Sequence, residues 1–324
     1  MQMYMDSIVE ENVEKEIKLL FDGVIPERDS EIKEYINKYT PYFSLCDDRS
    51  GFTIEAGSFG ILKFTNRTMH MMWILGFAAN QAVKSHSSLI ALLSISGSDL
   101  STSWLNEIPD QKQEEKKYSD LINKVFELSE SNNLDTYSWP SVVPKPWEGR
   151  PLDAEGAAAF DLICMSGAYV FLHEMKHIAF SEDSNVPDKP RDEELQCDLF
   201  AKDLMLSGLP EYSESSGYPL NLLTTKRAMA IVLAHFYMLV IAPIESWAGT
   251  NSHPSISERI TAMVGDLELY DNDALWLYLA SLFFSHYRHL ELGEFKLSFS
   301  SYRQLSEVLI MKIEEASNKE IKRN

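Results

Sequence analysis

Residues 153–180 read DAEGAAAFDLICMSGAYVFLHEMKHIAF, a long, mostly apolar stretch without proline that is acidic where it begins. Such a stretch predicts a helix starting near Asp153 or Glu155. It contains His173-Glu174-Met175-Lys176-His177. At 3.6 residues per turn, positions i and i+4 share a face, so the two imidazoles can grip one ion while Glu174 sits beside them and reaches its fourth position. The alternative is a helix whose two histidines are satisfied by local hydrogen bonds. Against it stand Val170, Phe171, Leu172, Ile178, Ala179 and Phe180 around the motif, because three ionisable residues in such a setting are costly unless paired or metal-bound.

A catalytic zinc needs three protein ligands and an open position, so this helix is one ligand short. Downstream, SEDSNVPDKPRD (181–192) permits a chain reversal, and EELQCDLFAKDLM (193–205) reads as a second helix. Glu194 and Asp198 are four apart and share a face. Glu194 can therefore supply the third ligand while Asp198 accepts a hydrogen bond from the far nitrogen of a ligating histidine, fixing its tautomer. Glu193 competes as ligand, but it has no carboxylate partner at i+4 and is expected a quarter turn away. Cys197 is expected to be a small buried apolar residue facing away from Glu194. Further on, SHPSISERI (252–260) has two readings. Either Pro254 opens a helix capped by Ser252 or His253, with Arg259 in a surface salt bridge, or His253 and Arg259 stand at the metal site, where a donor stabilises an oxyanion.

The remainder reads as scaffold. Residues 6–40 carry apolar side chains at helical spacing (Ile8, Val9, Val13, Ile17, Leu20, Phe21), which predicts an amphipathic surface helix and a second short one. GFTIEAGSFGILKFT (51–65) predicts a β-hairpin turning at Gly57-Ser58-Phe59-Gly60, a candidate edge for a substrate strand. NRTMHMMWILGFAANQAV (66–83) predicts a largely buried helix, 89–95 is apolar, and QKQEEKKYSD (111–120) reads as a solvated loop or helix start. Four prolines between Trp139 and Pro151 forbid a regular helix there. His70, His86, His235, His286 and His289 lack partners at ligand spacing and are expected in core or surface roles. The fold class predicted is mainly α, with a helical core like that of zincins and a small hairpin or sheet near the site. The division expected is 1–150 scaffold, 151–265 catalytic core and 266–324 C-terminal helices in one unit.

Composition bounds the partners. The 324 residues carry a formal net charge of −20, which disfavours a phosphate backbone and anionic lipid and excludes nucleic acid as the expected partner. Cys46, Cys164 and Cys197 form neither a disulfide framework nor a cysteine metal knuckle, and the N-terminal residues lack an export pattern, so a cytoplasmic location is expected. The apolar run 228–244 is shorter than the ~20 residues of a bilayer span and holds His235 and Pro243. A core helix, with no integral membrane span, is the expectation, and peripheral membrane contact is the alternative.

HExxH, then ExxCD at Glu194 to Asp198, then HPxxxxR at His253 to Arg259 resembles, in order, the motifs of HtpX-like gluzincin peptidases, with Cys197 in place of the usual alanine. Those proteins carry clear transmembrane helices. The layout of the whole chain is more similar to the Lit-type phage-exclusion peptidases, through the helix at 66–83, the Trp-Pro-rich lead-in and the LHExxHIAF helix. The segment 194–205 is also similar to the ImmA/IrrE-type peptidases, which cleave repressors. These resemblances imply a zinc-dependent endopeptidase of the gluzincin type. His173, His177 and Glu194 would hold Zn2+, Glu174 would be the base, Asp198 would stand behind a ligand, and His253 and Arg259 would line the active site. The Lit-type likeness implies an antiviral defence protease acting on a translation factor, under control of an activating peptide or protein. A repressor-cleaving protease and a non-catalytic zinc-binding sensor are the alternatives.

Overall fold

Two helices, α1 (Gln2–Val24) and α2 (Asp29–Tyr39), lead into strand β1 (Tyr42–Cys46). The hairpin β2 (Ile54–Ala56) and β3 (Ile61–Thr65) then feeds α3 (Asn66–Ser96). The short β4 (Leu100–Ser101) and α4 (Thr102–Leu105) precede α5 (Pro109–Glu130). The helical core follows as α6 (Ala154–Glu182), α7 (Pro190–Leu206), α8 (Leu209–Ser216), α9 (Leu220–Ile241), α10 (Ile256–Val264) and α11 (Ala274–His289). Finally β5 (Lys296–Leu297) pairs with β4, and α12 (Tyr302–Ile321) closes the chain of elements. This computed structural model describes residues 2–47, 51–131 and 133–321 and is 70% helical. The fold is mainly α with a small sheet, and the buried apolar side chains form one cluster running from Ile17 to Ile313. Of the apolar positions read in the first helix, Ile17 and Phe21 are buried, whereas the side chains of Ile8 and Val9 lie outside the described residues.

The hairpin forms where its turn glycines predict. β2 pairs antiparallel with β3 (Ile54↔Phe64, Ala56↔Leu62), and Gly57 N–H closes the turn on Ile61 O at 2.6 Å. β1 joins the other side of β3 in parallel (Tyr42↔Ile61 to Cys46↔Thr65). This pairing was not legible, because YFSLC has too few residues to show a period. Its consequence is the order β1-β3-β2, which leaves β2 as an edge. Since Gly57 bonds to Ile61, the alternation of an antiparallel ladder turns the backbone groups of Ile54 and Ala56 away from β3. The inner face of the sheet lies on α6, where Phe64 meets Phe171 edge-on at 5.2 Å between ring centroids.

Helix α3 is longer than 66–83, because nothing interrupts it before Gly97, whose left-handed φ of 63° ends it; the apolar residues 89–95 are its last turns. Thr65 caps its start by accepting from Thr68 N–H. Its contact with α6 is close: a Cβ on Gly76 would stand 2.1 Å from Ile163 Cγ1. Of the two readings of the polar tract 111–120, the helix start is the one that forms: it is the first half of α5. Its charges pair along the helix (Lys116–Asp120, Lys117–Glu114) while Tyr118, Leu121 and Ile122 face the core. The proline-rich 139–151 holds no α-helix, as expected. Helices α6 and α9 are both long and apolar enough to cross a membrane, yet 72% of the apolar window of α9 is buried within the protein. α9 ends ahead of Pro243 and packs along α6.

Between α3, α5 and α11 lies a buried polar layer. His86 holds Ser285 and Glu115, and Arg288 grips the Glu115 carboxylate. Burial, helped by neighbouring His289, holds the His286 imidazole down at about 3, with the Tyr118 hydroxyl 3.2 Å from its Nδ1. In the unfolded chain the ring titrates near its ordinary 6.5. The unfolded state therefore takes up the proton first, and acidification below that value costs about 1.4 kcal/mol of stability per pH unit until the folded value is reached. Denaturation midpoints measured from pH 7 to 5 should fall more steeply in the wild type than in His286→Gln. Parallel slopes would show that this ring does not set the acid limit.

Candidate metal centre and active site

Each helix of the site is placed by local chemistry. Asp153 caps α6 by accepting from Gly156 N–H at 2.7 Å, and the apolar body of α6 is drawn into the core, so Tyr169, His173, Glu174 and His177 are carried inward with it. The loop after α6 returns the chain as α7, packed along α6, which brings Glu193, Glu194, Cys197 and Asp198 to the imidazoles. Helix α10 begins at Ile256, capped by Ser255 in a reciprocal box with Glu258. Neither Ser252 nor His253 is the cap, because the helix opens two residues after Pro254 and Ser255 satisfies the Glu258 N–H.

The side chains converge. His173 Nε2 and His177 Nε2 are 3.2 Å apart, and the Glu194 carboxylate oxygens stand 3.5 and 3.6 Å from them. A tetrahedral ion with bonds of about 2.0–2.1 Å separates its ligand atoms by about 3.4 Å, so this donor set has the spacing of three corners of such a site. The outward nitrogens are held by carboxylates: His173 Nδ1 donates to Asp198 at 2.9 Å and His177 Nδ1 to Glu193 at 2.7 Å. Glu174 stands beside the pair, its Oε2 accepting from Ala56 N–H of the edge strand at 2.7 Å. Glu174, Glu193, Glu194 and Asp198 thus gather about the two imidazoles, and Arg259 meets two of them, Asp198 and Glu194, which leaves the electrostatics of a cation site.

Asp198 is the hub. Fully buried, it receives Arg259 Nε and Nη2 at 2.6 and 2.7 Å, the Tyr169 hydroxyl at 3.0 Å and His173. His235 Nε2 approaches to 3.7 Å. Burial alone would raise the Asp198 carboxyl, but the guanidinium and the hydrogen bond from His173 hold it well below the carboxylate range. For His173, burial opposes protonation, and the bonds to Asp198 and Glu194 outweigh it, lifting the ring to about 10. A ring with this much negative charge about it favours a positive partner, either a proton or a metal ion. Burial raises Glu174 above its usual range, against the pull of the two imidazoles.

Arg259 is therefore not in a surface salt bridge; it is buried, with Nη1 also 3.6 Å from Glu194. His253 is half-exposed at the mouth, its Nε2 3.6 Å from Glu194 Oε1. Cys197 does not face away from Glu194: three residues on, it returns to nearly the same face, and its sulfur lies within 4.8 Å of a ring nitrogen of each histidine. Burial, with Glu194, Glu193 and Asp198 around it, pushes this thiol far above its ordinary range. Glu193 is near the site but on the outer nitrogen of His177. Tyr169 and His235 were not singled out from spacing, although Tyr169 is four residues before His173 and His235 is a costly polar residue in an apolar run.

The profile of the peptidase U49 family matches residues 62–279, from β3 into α11, and so includes α6, α7 and α10, the helices that carry the imidazoles, the carboxylates and Arg259, while β2 lies ahead of it. The chain belongs to the peptidase U49 family. This is the Lit-type family of metallopeptidases, and the protein is accordingly a peptidase. No curated protein and no solved structure matches the chain. Beside the polar centre, the cleft of this peptidase has an apolar wall made by Val170 of α6 and Ala234, Tyr237 and Met238 of α9. The opposite rim is β2 with Gly57 and Ser58.

Proposed function

We propose that the protein is a zinc-dependent endopeptidase whose ion is held by His173, His177 and Glu194. The observation that carries this reading is the 3.2–3.6 Å triangle of the two Nε2 atoms and the Glu194 oxygens, with a carboxylate behind each imidazole. An ion held there would supply Lewis acidity, lowering the pKa of a water and polarising the scissile carbonyl. Glu174 takes the proton of that water and passes it to the leaving amine, a role suited to a carboxylate raised by burial. The outer edge of β2, where Ala56 N–H meets Glu174, aligns an extended substrate by main-chain pairing. His253, reaching in from the mouth, stabilises the oxyanion. Arg259 acts through others, holding Asp198 and Glu194 in position. The resemblance to Lit-type proteins supports a cytoplasmic protein substrate, a translation factor, in a phage-exclusion role controlled by an activating peptide or protein.

Chelation tests the reading. Incubation with 1,10-phenanthroline should abolish cleavage of a denatured protein substrate, and one equivalent of Zn2+ should restore it. Full activity in metal-free protein would refute it.

A further inference from the structure

We propose that Phe59 is an anchor for protein substrates at the rim of the cleft, an inference that rests on the peptidase reading of the site. Phe59 is 93% exposed and sits in the left-handed region, φ 62° and ψ 35°. Both features are unfavourable: a bulky L residue is strained there, and its ring is left in water. Glycine would remove both costs, and the same turn uses glycine on either side, at Gly57 and at Gly60 with its φ of 71°. Strain and exposure together at one residue point to a role outside the folding of the turn.

The position says what the role is. Gly57 and Ser58 line the cleft, and Phe59 follows Ser58 in the same turn, next to the rim. The hairpin that carries it is tied to α6: Ala56 N–H binds Glu174, and a Cβ on Gly60 would lie 3.9 Å from Ile178 Cγ2, one residue beyond His177. The turn is thus placed in the frame of the catalytic residues. Its complement is an apolar recess or side chain on a protein substrate, outside the few residues that pair with β2. A membrane is the poorer match for a lone ring on a chain of net charge −20.

The test compares Phe59→Gly and Phe59→Leu with wild type on β-casein and on an internally quenched octapeptide spanning one of its cleaved bonds. For Phe59→Gly, kcat/KM on β-casein should fall at least about fivefold further than on the octapeptide, through KM, as for loss of an aromatic anchor. Phe59→Leu should recover most of the difference, and the thermal midpoint of Phe59→Gly should equal or exceed that of wild type. Parallel changes on the two substrates, or a lowered midpoint, would overturn the anchor while leaving the peptidase reading intact. Failure of the zinc-loaded wild type to cleave either would overturn both.

Discussion

Glu174→Gln is expected to lower kcat about a thousandfold while leaving one metal ion per chain, because general-base transfer contributes about 10²–10⁴ in rate and the amide cannot accept the proton. The substitution is nearly isosteric, and Glu174 is not one of the three ligands; its main-chain partner is Ala56 N–H, from which the Gln carbonyl still accepts. His173→Ala and His177→Ala should instead lose the ion. Metal content and turnover measured on the same preparations separate the two cases. A Glu174→Gln protein that is metal-free, or one that retains full turnover, would remove Glu174 from the role of base.

Asp198→Asn is expected to have the largest effect on stability, about 3–5 kcal/mol. The cause is the Arg259 guanidinium, itself buried, which would lose the carboxylate within 3 Å of it and keep Glu194 only at 3.6 Å among the described residues. The same change should weaken the metal about 10- to 100-fold, since His173 would lose the carboxylate that fixes its ring. Urea denaturation and competition with a chromophoric chelator measure the two effects. A loss below about 1 kcal/mol would mean that water reaches Arg259 and that the hub is not dry.

Much of this could be read from residue spacing, and the reasons differ by element. Helix α6 was legible because one stretch carries an N-cap, a long apolar run and two histidines at i and i+4. The hairpin was legible because its turn glycines sit between β-formers. What spacing could not convey was burial. Arg259 admitted two readings, a surface salt bridge or a site residue, and its partner Asp198 lies 61 residues away. His235 shows nothing at ligand spacing, because its relation to Asp198 exists only once α9 meets α7. Tract 111–120 admitted a loop or a helix start, and composition could not choose: its charges pair with one another along α5, so polarity there marks a helix face. Cys197 was placed on the wrong face by treating a residue three positions on as remote, when three residues bring a helix back to within about 60°.

Anomalous diffraction at the zinc edge, on crystals of the protein grown with one equivalent of Zn2+, tests the central claim most directly. A single peak is expected about 2.0–2.2 Å from His173 Nε2, His177 Nε2 and a Glu194 oxygen, with Cys197 out of bonding reach. A peak that takes Cys197 as its third protein ligand, or no peak between the two imidazoles, would contradict it.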